Sequence, residues 1–187
     1  KTDDLSFIFL DASFYIISII IILLILLSAF FSGSETALTG ASRAKLRGLM
    51  DRGSKGAKNA LELTENNEKL IGALLLGNNF VNILAASLAT SLLTRYFEET
   101  GVLLATLIMT FLILIFAEVM PKTYAITNSE KAATKVAKIV KIIVILFTPL
   151  VATLRKIVRI ILWTFGIKID PNQQILAREE IAGAIAL

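Results

Sequence analysis

A chain of 187 residues that is 56% hydrophobic and 18% charged is too apolar for an ordinary soluble domain, and reads as an integral membrane protein. It has neither cysteine nor histidine, which excludes disulfide scaffolds, thiolate metal sites and imidazole acid–base chemistry and leaves oxygen as the ligand type for any metal. The net charge of +4 belongs to membrane topology, and nucleic acid is not expected as a partner.

Residues 1–13 form a short N-terminus that leans acidic, with Asp3, Asp4 and Asp11. The apolar run Phe14–Phe31 is about 18 residues long against the ~20 that cross a bilayer, and predicts a first span over 14–32. No A-x-A cleavage site follows, so the run is read as a retained span rather than a signal peptide. Residues 42–69 change character. Arg43, Lys45, Arg47, Arg52, Lys55, Lys58 and Lys69 alternate with apolar positions, and Gly53 and Gly56 punctuate them. This predicts two amphipathic helices joined by a turn, held on the cytoplasmic side by their charge.

A second span is predicted over 70–94, seeded with Gly72, Gly77, Asn78, Asn79 and Asn82. Such residues let helices approach closely or bond to one another. The hinge 95–101 carries a single basic residue, Arg95, and belongs outside. A third span over 102–118 returns the chain to the cytoplasm. In residues 131–167, Lys131, Lys135, Lys138 and Lys141 share a helical face, and Arg155, Lys156 and Arg159 follow Pro149. We expect amphipathic juxtamembrane helices, broken at Pro149 and lying on the cytoplasmic surface. The alternative is a fourth span across 139–154. Residues 168–187 read as a linker and the start of a further cytoplasmic region. The expected fold is therefore an all-α membrane protein with three transmembrane helices, its N-terminus outside and its C-terminus cytoplasmic.

The chemistry concentrates at the ends of the spans. Glu118 closes an apolar run, and a carboxylate there is a functional candidate by default. Pro121 lacks an N–H, so the Ala117 carbonyl loses its helical partner and stands beside that carboxylate. Hard cations take oxygen ligands of this kind. Ser32-Gly33-Ser34-Glu35-Thr36 and Gly77-Asn78-Asn79 add hydroxyl and amide oxygens, and Gly33 and Gly77 are expected to loosen their helices. The plainer reading makes Ser and Asn interhelical glue and Glu118 a helix end in the headgroups. Asn78 lies about eight residues, or ~12 Å, into its span, so its depth matches that of Glu118 only roughly. Glu35 is expected to pair with Lys122 or Arg43.

Phe31-Ser-Gly-Ser-Glu-Thr-Ala, Leu76-Gly-Asn-Asn and Ala117-Glu-Val-Met-Pro-Lys, in this order, resemble the transmembrane domain of the CorC/CNNM family of magnesium transporters. The resemblance covers about Phe14 to Ile167. It implies a homodimer in the lipid bilayer, with three spans per protomer and a juxtamembrane helical belt, in a bacterial inner membrane. It implies magnesium export coupled to sodium entry by alternating access. It also implies a dehydrated Mg2+ held by Ser32, Asn78, the Ala117 carbonyl and Glu118, with Ser34 and Asn79 as close candidates. Many family members carry Gly where this chain has Ala117, a change that a backbone ligand survives. Family members continue into a cytoplasmic CBS-pair module that binds ATP. That module lies outside the sequence given, so no nucleotide is expected in this stretch. Two other readings remain: a membrane anchor and sensor for the cytoplasmic module, and a divalent-cation channel. No catalytic residue is expected, because the cytoplasmic segments hold no paired carboxylates, histidine or phosphate loop of the needed spacing.

Overall fold

In apolar surroundings every backbone polar group needs an internal partner, and the long apolar runs answer this as helices. A computed structural model describes residues 2–167 of the chain, with side chains from residue 13 onward. The expectations for residues 168–187 and for the acidic side chains at the N-terminus lie outside the described residues. The described residues contain helices and no strand. They are α1 (Thr2–Gly40), α2 (Arg43–Asp51), α3 (Lys55–Glu65), α4 (Asn67–Phe97), α5 (Thr100–Leu112), a π-helical segment (Ile113–Val119), α6 (Met120–Thr127) and α7 (Ser129–Thr164).

Four of the stretches are long and apolar enough to cross a membrane: Ser13–Gly40, Asn67–Phe97, Thr100–Thr127 and Ser129–Thr164. The first three contain the expected spans but overrun them. α1 continues through Ser32–Thr36, and the third helical run continues past Glu118 to Thr127. The fourth corrects the expected break at Pro149, because α7 is one helix with the proline inside it. Proline removes a single backbone bond, and the apolar turns on either side keep theirs.

The turns follow from local chemistry. Gly53 sits at φ +90° between α2 and α3, a conformation that glycine adopts without steric penalty. Ser54 then caps α3 by accepting from the Ala57 N–H at 3.2 Å. Gly101 follows the turn between α4 and α5, where a Cβ would stand 2.6 Å from the Leu93 carbonyl, so only glycine lets the two helices close this tightly.

Residues Lys1–Thr148 form one compact unit with two apolar clusters. The first joins Leu38 of α1, Leu46 of α2, Ala57 and Ala60 of α3, Leu70 and Leu74 of α4, and Ala133 and Ala137 of α7. The second joins Ile21 and Ile25 of α1, Ala85 and Ala89 of α4, Ala105 and Met109 of α5, and Ala117. The many alanines let the backbones approach, as membrane helices require. Polar links bind the basic side. Lys141 pairs with Glu62, Lys45 with Glu130 at 3.2 Å, and Arg43 donates to the Thr64 carbonyl at 2.7 Å. The described part of the second unit is the rest of α7. It closes in a Schellman motif, with Gly166 at φ +77°, its N–H on the Trp163 carbonyl and that of Ile167 on the Leu162 carbonyl.

Candidate ion-binding site

Ser28, Ser32 and Asn78 are buried polar side chains on helices otherwise packed by apolar ones. Burial of such groups is tolerated when they are hydrogen-bonded. Ser28 and Ser32 lie one turn apart on α1, and so share a face. Asn78 faces them from α4. Ser28 Oγ donates to Asn78 Oδ1 at 2.6 Å, and Asn78 Nδ2 donates to Glu118 Oε1 at 2.9 Å. Ser32 Oγ donates to Glu118 Oε2 at 3.2 Å. Three helical runs, remote in sequence, thus meet at one carboxylate. The difference in depth expected between Asn78 and Glu118 is absent, because α4 begins at Asn67 and the two side chains bond directly.

The π-helical segment places Glu118. In it the Met120 N–H donates to the Ile115 carbonyl, five residues back rather than four. One extra residue in a turn rotates everything beyond it by about 100° relative to a regular helix. The widened turn lies just before Pro121, whose ring would otherwise press on the carbonyl four residues back, that of Ala117. The helix therefore passes the proline and continues, carrying Lys122 round to Glu118. Lys122 Nζ lies 2.9 Å from Glu118 Oε2, across an i,i+4 spacing. This corrects the expected partner of Glu35, since Lys122 holds Glu118 and Arg43 donates to the Thr64 carbonyl.

Glycine sets the approach of the helices. At Gly77 a Cβ would stand 2.6 Å from two ring atoms of Phe31, and at Gly33 one would stand 3.3 Å from Pro121 Cβ. Both glycines lie inside continuous helices. They serve close packing next to the polar cluster, and the expected loosening is not found.

Of the residues singled out in the sequence, Ser32, Asn78 and Glu118 come together. Ala117 is fully buried at the wide turn beside Glu118. Ser34 is buried, and its hydroxyl has no hydrogen-bond partner among the described residues. Asn79 is exposed, one position round the helix from Asn78. Sequence reasoning missed Ser28, and it named Asn82 only among the small and polar residues of the second span, whereas its Nδ2 reaches Asn78 Oδ1 at 3.5 Å. A signal existed: Ser28–Ser32, Asn78–Asn82 and Glu118–Lys122 are all i,i+4 pairs.

Glu118 also opens on a groove of about 400 Å³ between α4 and the third helical run, lined by Ala86, Thr90, Ala105, Thr106, Thr110 and Glu118 among others. Thr90, Thr106 and Thr110 each donate to a backbone carbonyl one turn earlier. Their protons are committed, so their oxygens offer lone pairs only. Chemically the cluster is a set of oxygens around one carboxylate. Hydroxyls and an amide that now bond to one another can turn their lone pairs to a cation.

The sequence profile of the family described as the Cyclin M transmembrane N-terminal domain, CNNM, matches residues 19–187. The chain belongs to the CNNM family. This CNNM chain is 36% identical over 168 residues to a UPF0053 protein of Haemophilus influenzae, covering 90% of the chain and 40% of that protein. It is 41% identical over 144 residues to the UPF0053 inner membrane protein YfjD of Escherichia coli, covering 77% and 34%. A further relative, 29% identical over 144 residues and covering 70% and 33%, is named a polyamine export protein of Haemophilus influenzae. The CNNM chain thus spans about two fifths or less of the length of these relatives. Its apolar helices and the inner-membrane relative make it a multi-pass membrane protein.

Proposed function

We propose that this CNNM chain carries Mg2+ out of the cell across the inner membrane, coupled to sodium entry, as the membrane part of a homodimeric transporter with a cytoplasmic CBS-pair module. The observation that carries the reading is the convergence of Ser32, Asn78 and Glu118. Magnesium is commonly bound through one or two carboxylates, keeps its other positions for neutral oxygens or water, and is slow to shed that water. A single carboxylate beside hydroxyl, amide and the Ala117 carbonyl fits a dehydrated ion that must later be released. Ser28 joins the ligand set as a second hydroxyl, in reach of Asn78. The threonine-lined groove supplies the outward path in an alternating-access cycle, and the basic α2–α3 side faces the cytoplasm. Sodium competes at Glu118 or at oxygens next to it.

A second reading is favoured by the relative named a polyamine export protein, and gives the groove an organic polycation. Against it, Glu118 is the only ionisable side chain lining the groove among the described residues, while a polyamine presents several ammonium groups. Flux into liposomes containing the full-length protein tests both. Glu118→Ala is expected to abolish magnesium flux while leaving the assembled protein intact by size-exclusion chromatography. Magnesium flux that survives the substitution, or polyamine flux alone in the wild type, sinks the magnesium assignment.

A further inference from the structure

The Glu118 carboxylate already holds a cation that belongs to the chain. Lys122 Nζ sits 2.9 Å from Oε2, the oxygen that also accepts from Ser32, and Asn78 holds Oε1. We propose that Lys122 is a tethered competitor for the ion site: a metal ion gains Glu118 only by displacing the ammonium, and this selects divalent over monovalent cations. The inference rests on reading Glu118 as a cation ligand and adds a specificity-determining residue to it.

The argument is one of charge and tethering. With Lys122 in place the pair is neutral. A metal ion bonded to Oε2 would stand within a few ångströms of the ammonium, and two cations at one carboxylate oxygen repel. The ammonium must therefore withdraw, and its position permits this. The Lys122 side chain is 43% exposed, against 25% for Glu118, and it has a flexible four-carbon stem. Because it is attached one turn away, its local concentration at Glu118 is on the order of millimolar or higher, whatever the ions in solution. A sodium ion brings the same single charge as the ammonium it must replace, and has no Coulombic advantage. A magnesium ion brings twice the charge, and so gains more from the carboxylate and from the Ser28, Ser32 and Asn78 oxygens around it than a singly charged ion does. A coupling sodium must then bind at neighbouring oxygens, or at Glu118 once Lys122 has moved away.

Cation-dependent thermal stabilisation of the purified full-length protein tests this, with MgCl2 and NaCl titrated separately at constant ionic strength. Lys122→Gln is expected to lower the magnesium midpoint about tenfold and to lower the sodium midpoint by more, so that the magnesium-to-sodium ratio falls, because the tethered competitor is gone. Lys122→Arg, whose guanidinium grips a carboxylate more firmly, is expected to raise the magnesium midpoint severalfold. The arginine variant retains the charge, so it answers the question even if the glutamine variant does not fold. A merely structural ion pair would give weaker magnesium binding in Lys122→Gln and leave the magnesium-to-sodium ratio where it was; that result, or unchanged midpoints in both variants, overturns the proposal. Glu118→Gln separates the two ideas. If it still responds to magnesium, the ion-site reading itself fails, whatever Lys122 does.

Discussion

At Gly77 the Phe31 ring lies so close that a single methyl group has no room, and both residues adjoin side chains of the proposed ion site, Asn78 and Ser32. Gly77→Ala should push the ring away and part α1 from α4 where Ser28 and Ser32 reach across. Overpacking of this kind costs about 1–3 kcal/mol. We expect a lower thermal midpoint and a weaker magnesium response in Gly77→Ala, and partial recovery of both when Phe31→Leu is added. If the double variant is no better than the sum of the single ones, Phe31 is not what Gly77 accommodates. At this scale the sequence is a partial guide. Glu118 stood out because a carboxylate in an apolar run is rare, and Ser32 and Asn78 because their motifs are distinctive. Ser28 did not, because its i,i+4 spacing to Ser32 is a weak signal in an isoleucine-rich helix until a partner faces the pair. Asn79 is one residue from Asn78 and Ser34 two from Ser32, so at about 100° per residue they are turned about 100° and about 200° away, onto other faces.

Among the elements, the α2–α3 hairpin was legible. Gly53 and the alternation of charge act locally, so local sequence encodes them; the cap at Ser54 came only with the structure. The π-helical segment was not legible. Its widened turn answers Pro121 from the residues before it, and an apolar run ending in Glu118 looks the same with or without it. The contact of α3 with α7 joins residues far apart in sequence and shows only in the fold. Its pH dependence can be worked out. The hydrogen bond from Lys141, and next its charge, hold the Glu62 carboxyl below the usual carboxylate range. A carboxyl with a lowered value in the folded state stabilises above its unfolded value and loses that contribution as pH falls through the folded one. The α3–α7 link should therefore weaken on acidification below about pH 4–5, where carboxylates ordinarily titrate. Lys141→Gln should return the Glu62 titration, followed by carboxyl NMR, to the ordinary range. High salt should have a smaller effect in the same direction, because the pair is exposed and screened. A Glu62 titration indifferent to Lys141 would mean that the two do not pair in solution.

For the whole molecule, hydropathy and charge give different counts of how many times the chain crosses the membrane. α7 has the length and apolar content of a span, but charge argues otherwise. Lys131, Lys135, Lys138 and Lys141 stand at one end, and Arg155, Lys156 and Arg159 toward the other. Cytoplasmic segments are the ones that gather lysine and arginine, so basic residues at both ends favour a helix that stays on the cytoplasmic side. The overall class was legible from composition because a bilayer imposes length and apolarity on any span. Sidedness rests on this weaker charge bias, and for α7 it sets hydropathy against charge. The absence of cysteine from the sequence makes the question directly measurable, since any thiol introduced is the only one in this stretch. Single cysteines at Arg52, Glu98 and Thr164 can be probed in intact cells with a membrane-impermeant maleimide. Glu98→Cys, in the turn between α4 and α5, is expected to react from outside, and Arg52→Cys only after the cells are opened. Thr164→Cys decides the count. Three crossings leave it protected in intact cells together with Arg52→Cys, and labelling from outside together with Glu98→Cys would establish four. That outcome would also move the lysine stripe of α7 to the inner mouth of a fourth span and require a different account of where its cations rest.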